Sequence, residues 1–269
     1  TVSVRADQPM NTLSVIKIPV MIRAVRDVEA GRLRLTDRHL IRAEDLRRGS
    51  GLLRTFDVGL SPTIRDLMEQ MIITSDNTAT DLMIAAVGMD RVNLLLDSLG
   101  FRTTRLRMTT GALFREVWIR VDPANTRLSD EEVFARGFPS DSGSARRAFV
   151  LEGDSTRWLG VTTAREMVTM LEGILDARYA TREHSDLMFA ILGRQLYSSR
   201  LPQRVQWQGV EVAHKTGDWP PYAGNDVGVL SYRGGPTVAA VFTGQNTGDF
   251  FRLEATEGRI AELLVKAWQ

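Results

Sequence analysis

Over the first two hundred positions the apolar residues recur at three- and four-residue spacing, and after Pro202 the period shortens to two. Residues 2–5 (VSVR) alternate and read as a short strand. From Ser14, residues Ile16, Val20, Ile22, Val25 and Val28 share one helical face that stops at Gly31. Residues 36–60 read as loop and turn. A second helix opens at Ser61-Pro62-Thr63, with Ser61 as its cap and Pro62 at the first helical position, and carries Ile64, Leu67, Met68, Met71 and Ile72. Further helices are predicted over Asn77 to Val87, Asp90 to Leu99, Ala164 to Leu175 and Glu183 to Leu192. Residues 107–160 break this rhythm with Gly111, Pro123, Gly137, Pro139 and Gly153; only Asp130 to Ala135 reads as helix, and so long an excursion is often functional. The period-two segments VQWQGVEVAHK, DVGVLSY and TVAAVFTG predict three strands, with turns at Pro220-Pro221 and Gly234-Gly235. An amphipathic helix through Ile260, Leu263, Leu264 and Trp268 closes the chain.

Helices followed by an antiparallel sheet and a closing helix predict an α/β (α+β) fold: an all-helical lobe beside a sheet flanked by helices. Composition adds exclusions. With 43% hydrophobic and 25% charged residues and a net charge of +1, nothing points to nucleic acid or an anionic membrane surface. The absence of cysteine removes disulfides, thiolate metal sites and a cysteine nucleophile. No apolar run approaches the roughly 18 residues of a membrane span, and the first residues lack the basic start and apolar core of a signal peptide. The basic side chains are nearly all arginine; the lysines are Lys17, Lys215 and Lys266.

Three short motifs carry candidate chemistry. In Ser14-Val15-Ile16-Lys17, helical i, i+3 spacing puts the amine within about 5–6 Å of the hydroxyl at Cβ. A serine needs such a proton acceptor to become a nucleophile. The apolar neighbours Leu13, Val15, Ile16 and Ile18 would lower the lysine pKa by burial. In Ser75-Asp76-Asn77, the hydroxyl can relay a proton and the amide can hold a carbonyl. In Lys215-Thr216-Gly217, an ammonium and a hydroxyl suit a carboxylate, Gly217 admits close approach, and the N–H of Asp218 can face an oxyanion. Each motif taken singly also reads as structure: a capped helix with a snorkelling lysine, an N-cap, and a strand end with a turn glycine. His39 and His184 read as surface residues, His214 as packing beneath its strand.

Together and in this order, S-x-x-K, S-D-N and K-T-G resemble the class A β-lactamases and penicillin-binding serine hydrolases. The likeness extends through MNTLSVIKIPVMI, MIITSDNTATDLMI, EVAHKTGD, the TRL at 104–106 and TTAREM from 162, covering the chain from about residue 8. It implies a bacterial enzyme that opens β-lactams, a cause of antibiotic resistance, through an acyl-serine on Ser14. Lys17 would take the proton, and Ser75 would pass one to the ring nitrogen through Lys215. Asn77 would hold the acylamide, and Lys215 and Thr216 the substrate carboxylate. The Ser14 and Asp218 N–H groups would form the oxyanion hole. It implies no metal or organic cofactor, a small β-lactam or peptidoglycan-like substrate, and periplasmic or secreted location. Residues 1–13 and 199–269 would form the sheet lobe, and 14–198 the helical lobe with an omega-like insertion over 107–160. A D-Ala-D-Ala carboxypeptidase, an esterase-like enzyme and a slowly deacylating sensor are the alternatives.

Three departures qualify the likeness. The family's omega-loop glutamate, in an E-x-x-L-N pattern, is missing after TRL, where Arg107-Met108-Thr109-Thr110 follows. Glu116, Glu131, Glu132 and Glu152 are the substitutes, with Glu116 favoured because Phe114 and Trp118 flank it. The family's usual helix and strand pair before the nucleophile are also missing from the 13 residues preceding Ser14, and an open sheet edge makes a dimer an alternative to a monomer. Finally, the Asp218 carboxylate would repel anionic substrates.

Overall fold

In the computed structural model, which describes residues 1–139 and 141–268 (with the side chains of Glu131 and Phe134 outside that set), one buried helix organises the helical half. The strand β1 (Met10–Asn11) leads into a 3₁₀ turn, Leu13–Ile16, and then into α1 (Lys17–Glu29). Ile16, Ile18, Val20, Met21, Ile22 and Val25 are all buried; each such side chain contributes about 1.5–3 kcal/mol on leaving water. Around α1 pack α2 (Ile64–Ile73), α3 (Asn77–Val87) and α4 (Met89–Ser98). Thr63, rather than Ser61, caps α2: its hydroxyl accepts from Asp66 N–H, and the Asp66 carboxylate accepts from Thr63 N–H.

The short strand β2 (Arg105–Leu106) precedes the stretch expected to be irregular, which is instead mostly helical. It holds α5 (Thr110–Val121), α6 (Asp130–Ala135) and α7 (Ser142–Gly153). Val117, Trp118, Val121, Val133, Ala148 and Leu151 form a small core of their own there. Pro123, Gly137 and Pro139 lie between its helices, whereas Gly111 and Gly153 sit at the first and last turns of α5 and α7.

Beyond it, β3 (Gly160–Thr162) pairs antiparallel with both β1 and β2. Residues 2–5 form no strand; Val2 and Val4 are exposed, so alternation there has no partner to bury against. The helices α8 (Ala164–Leu175) and α9 (Arg182–Leu192) complete the helical layer.

The main sheet is β4 (Glu211–Trp219), β5 (Ala223–Tyr232) and β6 (Gly235–Val241), antiparallel in that order. The expected strand start at 205 gives way to a 3₁₀ turn, Gln206–Gln208, ended by Gly209 at φ 75°. One face of the sheet adds Ala213, Val227 and Val229 to the core around α1. The other packs Leu230 and Ala239 on Ala261 and Val265 of α10 (Phe250–Trp268). β4 lies at the sheet edge, so its outward backbone groups face away from β5.

Candidate active site

The turn that carries Ser14, the candidate nucleophile, is anchored by its backbone. Thr12 N–H donates to Gly160 O at 3.1 Å, and Leu13 N–H to Asn11 Oδ1 at 3.2 Å. The buried Asn225 amide donates to Asn11 O at 2.9 Å. Leu13 sits at φ 46° and Ser75 at φ 54°, a left-handed region that costs a non-glycine residue about 1–2 kcal/mol. The surrounding hydrogen bonds and core hold both in place. Ser14 and Lys17 are not on one α-helix as the periodicity suggests; Ser14 lies in the 3₁₀ turn and Lys17 begins α1. A 3₁₀ turn eclipses i and i+3, so both still project from one side.

Four of the motif groups meet in one hydrogen-bonded cluster. Lys17 Nζ donates to Ser75 O at 2.7 Å, to Ser75 Oγ at 3.1 Å and to Asn77 Oδ1 at 2.9 Å. Lys215 Nζ reaches the same Ser75 Oγ at 3.0 Å and Thr216 O at 2.8 Å. Both lysines are fully buried, while Ser14 is half-buried and accessible. Gly217 brings β4 against the Ser14 turn: a Cβ there would lie 2.8 Å from Thr12 O and 3.1 Å from Ser14 N. Only glycine lets the strand end run this close to the Ser14 amide. The Thr216 hydroxyl is buried with no hydrogen-bond partner among the described residues, a condition a ligand acceptor or donor relieves.

Electrostatics follow from this burial. Desolvation drives the Lys17 ammonium well below the usual lysine range, and the positive charge of Lys215 pushes the same way; Asp76, Asp81 and Asp218 oppose. Lys215 is lowered to about 7, again chiefly by burial, with Asp218 and Asp226 opposing and Arg200 assisting. Two buried amines sharing one hydroxyl titrate as a pair, so placing a charge on one disfavours it on the other.

Several contributors carry no signal in the sequence. Asp81, seven per cent exposed, accepts from Thr110 N–H at 2.7 Å, Gly111 N–H at 2.9 Å and Arg47 Nε at 2.8 Å. It thereby caps α5 against the Ser75–Asn77 turn. The Asn77 amide donates to Arg48 O at 2.8 Å, and Gly51 passes so close to Asp76 that a Cβ would fall 2.2 Å from its carboxylate. The loop before α2 is thus pressed onto the second motif. His214 is buried beneath β4, with Nδ1 2.8 Å from Asp226 Oδ1. His39 and His184, read as surface residues, are half-buried beside Asp45 and Glu29.

The favoured omega-loop carboxylate is not in this cluster. Glu116 is bound by Arg120 and, at 3.2 Å, by Arg157. Phe114 and Trp118 do pack together at 5.4 Å between ring centroids, but at i and i+4 they share a helix face that Glu116, midway between them, does not. Glu132 caps α6 through Ser129. Glu152 is buried against Gln245, accepting from its N–H at 2.9 Å. The Glu131 side chain lies outside the described residues. Among the described residues no carboxylate hydrogen-bonds to Lys17. Glu116→Gln should therefore leave β-lactam turnover within about twofold of the parent protein; a tenfold loss in steady-state rate would return Glu116 to the site.

The Asp218 carboxylate is likewise not free: it is paired with the guanidinium of Arg200, against the expected bare negative charge at the oxyanion position. Two concavities, of about 500 and 380 Å³, lie elsewhere, lined in the first case by Arg23, Arg26 and Arg32 and in the second by Thr243, Asp249 and Glu257. Neither includes a motif residue.

A model of the beta-lactamase enzyme family matches residues 1–268. A β-lactamase structure from Sphaerobacter thermophilus is 30% identical, with 98% of this chain and 85% of that chain covered and a TM-score of 0.78. An ancestral class A β-lactamase is 22% identical over 99% of this chain and 88% of that one, at a TM-score of 0.76. A mutant of PBP-A, solved as an acyl-enzyme complex with penicillin G, is 20% identical over 98% and 85%, at 0.72. At those lower identities the likeness concerns the fold. Among curated proteins no sequence match is found.

Proposed function

This chain belongs to the beta-lactamase enzyme family, and on that premise we propose how its residues share the work of opening a β-lactam. The protein is a serine hydrolase acting on β-lactams. Ser14 attacks the lactam carbonyl as neutral Lys17 takes its proton. The tetrahedral oxyanion is met by the N–H groups of Ser14 and Asp218, which are worth most in a water-poor site. As the ring C–N bond breaks, Ser75 gives its proton to the leaving nitrogen and is resupplied from Lys215. Lys215 and Thr216 hold the substrate carboxylate, and Asn77 the acylamide.

One observation carries this reading: a single buried hydroxyl, Ser75 Oγ, lies 3.1 Å from one lysine and 3.0 Å from another. That arrangement connects the base of the first motif to the cation of the third, as proton return to the leaving group requires.

Lys17 passes the proton it took to Lys215 through Ser75 Oγ and is neutral again; water then attacks the acyl-serine with Lys17 as base, and that proton goes to the departing Ser14 oxygen. Deacylation is the slower half-reaction in this reading, because Glu116 is held by Arg120 and Arg157 and among the described residues no carboxylate joins the Lys17 cluster to hold the attacking water. The expected result with a chromogenic cephalosporin is a burst of about one equivalent followed by sustained turnover, with a Ser14 adduct in the mass spectrum. A stoichiometric burst without turnover would replace the hydrolase with a sensor; no burst and no adduct would reject acyl-serine chemistry altogether. No helix among the described residues is long and apolar enough to cross a membrane. We place the enzyme in the periplasm or outside the cell, acting as a monomer or as a dimer.

A further inference from the structure

Arg200 is a buried cation placed directly behind the oxyanion end of β4. Its side chain is 3% exposed, whereas that of its partner Asp218 is 36% exposed at the rim. The guanidinium is fixed from several sides before it meets Asp218. Nη1 donates to Asn225 O at 3.1 Å, Nη2 lies 3.0 Å from Glu254 Oε1, and the group stands 5.8 Å from the centre of the Phe250 ring. Gly224 makes room for it, since a Cβ there would fall 3.1 Å from Nε and 3.2 Å from Nη2. Burial opposes the charge on Arg200, but Asp218 and the surrounding carboxylates hold it charged.

From these contacts we propose that Arg200 is a specificity-determining positioning residue: it holds and neutralises the Asp218 carboxylate, so that the site accepts a substrate bearing its own carboxylate. The proposal rests on the reading above, in which the Asp218 N–H serves the oxyanion and Lys215 the substrate anion. An exposed ion pair is ordinarily worth little, because two flexible side chains must be ordered to make it. Here the arginine is already ordered by a backbone carbonyl, a second carboxylate and an aromatic ring, so little further ordering is needed. Without it, a carboxylate would stand unpaired one residue from Gly217, where the anionic substrate comes closest to the strand.

The test compares one cephalosporin as its free acid and as its methyl ester. In Arg200→Gln, kcat/KM for the acid should fall about five- to tenfold, through KM, the size expected of an unpaired charge acting across a partly solvated rim. The neutral ester should change by less than about twofold. Adding Asp218→Asn to Arg200→Gln should bring the acid-to-ester ratio back to within about twofold of the parent. An equal fall for both compounds, or no recovery in the double variant, overturns the proposal in favour of a purely structural arginine.

Should Arg200→Gln not fold, Asp218→Asn alone decides. It uncovers the arginine charge and should raise the acid-to-ester ratio about threefold; an unchanged or lower ratio overturns the proposal. A parent protein that hydrolyses neither compound sinks the hydrolase reading separately, and the same ratio is then read from calorimetric binding of the two compounds.

Discussion

Replacing Ser14 by alanine should abolish covalent labelling by penicillins and cephalosporins and lower turnover by about four to six orders of magnitude, the loss typical of removing a nucleophile. The expectation rests on where this hydroxyl stands. Ser14 is half-buried within the Leu13–Ile16 turn, directly after Leu13 in its left-handed conformation, three residues from a buried amine and beside the strand end that carries Gly217. The turn itself is held by the Thr12, Leu13 and Asn225 hydrogen bonds, none of which involves the Ser14 hydroxyl. Alanine should therefore leave the fold intact, with a thermal midpoint within a few degrees of the parent. Intact-mass spectrometry after incubation with penicillin checks the result. An adduct that persists in a folded Ser14→Ala protein moves the nucleophile elsewhere.

The parts of this site readable in the sequence are those whose chemistry is local. S-x-x-K places two groups on one side of a turn, and K-T-G ends a strand whose alternation is visible. α1 is legible because one of its faces is continuously apolar, and the three main strands because apolar side chains such as Val227, Val229 and Leu230 serve the cores on the two sides of the sheet. What the sequence hides is whatever depends on a distant partner. Asp81 reads as one more polar helix residue, yet it caps α5 from 29 positions away. Arg200 reads as a loop arginine beside Pro202, yet β5 and α10 bury it. The alternation of residues 2–5 predicts a strand, but a strand forms only where a neighbour supplies its hydrogen bonds. The 107–160 stretch misleads in the opposite direction: Pro123, Gly137 and Pro139 mark the gaps between helices, Gly111 and Gly153 are accommodated at helix ends, and the spacing Leu113, Val117, Val121 keeps a helical face. Glu116 is flanked in sequence by Phe114 and Trp118, which suggests an apolar setting. On a helix, flanking residues point elsewhere, and the carboxylate instead finds Arg120 and Arg157.

Lys17→Met should lower kcat/KM by about a hundred- to ten-thousandfold, the contribution of a general base, while Ser14 stays present and accessible. A nearly isosteric apolar chain keeps the packing around α1 but removes the amine from Ser75 and Asn77. The pH dependence separates this role from a structural one. On the proposed mechanism Lys17 must be uncharged to accept the Ser14 proton, and burial together with Lys215 lowers its pKa well below the usual value. Activity therefore rises as pH climbs through that lowered pKa. On the alkaline side Lys215, at about 7 in the free enzyme, loses the charge that holds the substrate carboxylate, so kcat/KM falls again. The bell should lose its acidic limb in Lys17→Met and keep its alkaline one. Stability supplies a second readout with a fixed sign. The unfolded chain binds a proton on Lys215 up to the ordinary pKa of 10.5, whereas the folded chain releases it near 7. Between those values the unfolded state holds more protons, so folding is favoured increasingly as pH rises, by up to about 1.4 kcal/mol per pH unit. Lys17, lowered for the same reason, adds to this slope, and Lys17→Met should flatten the rise in urea midpoint between pH 7.5 and 9.5, a window of roughly two units chosen to fall inside that range. A variant whose midpoint rises as steeply as the parent's, or whose rate keeps the acidic limb, would mean that the amine at position 17 is charged in the folded protein and is not the base.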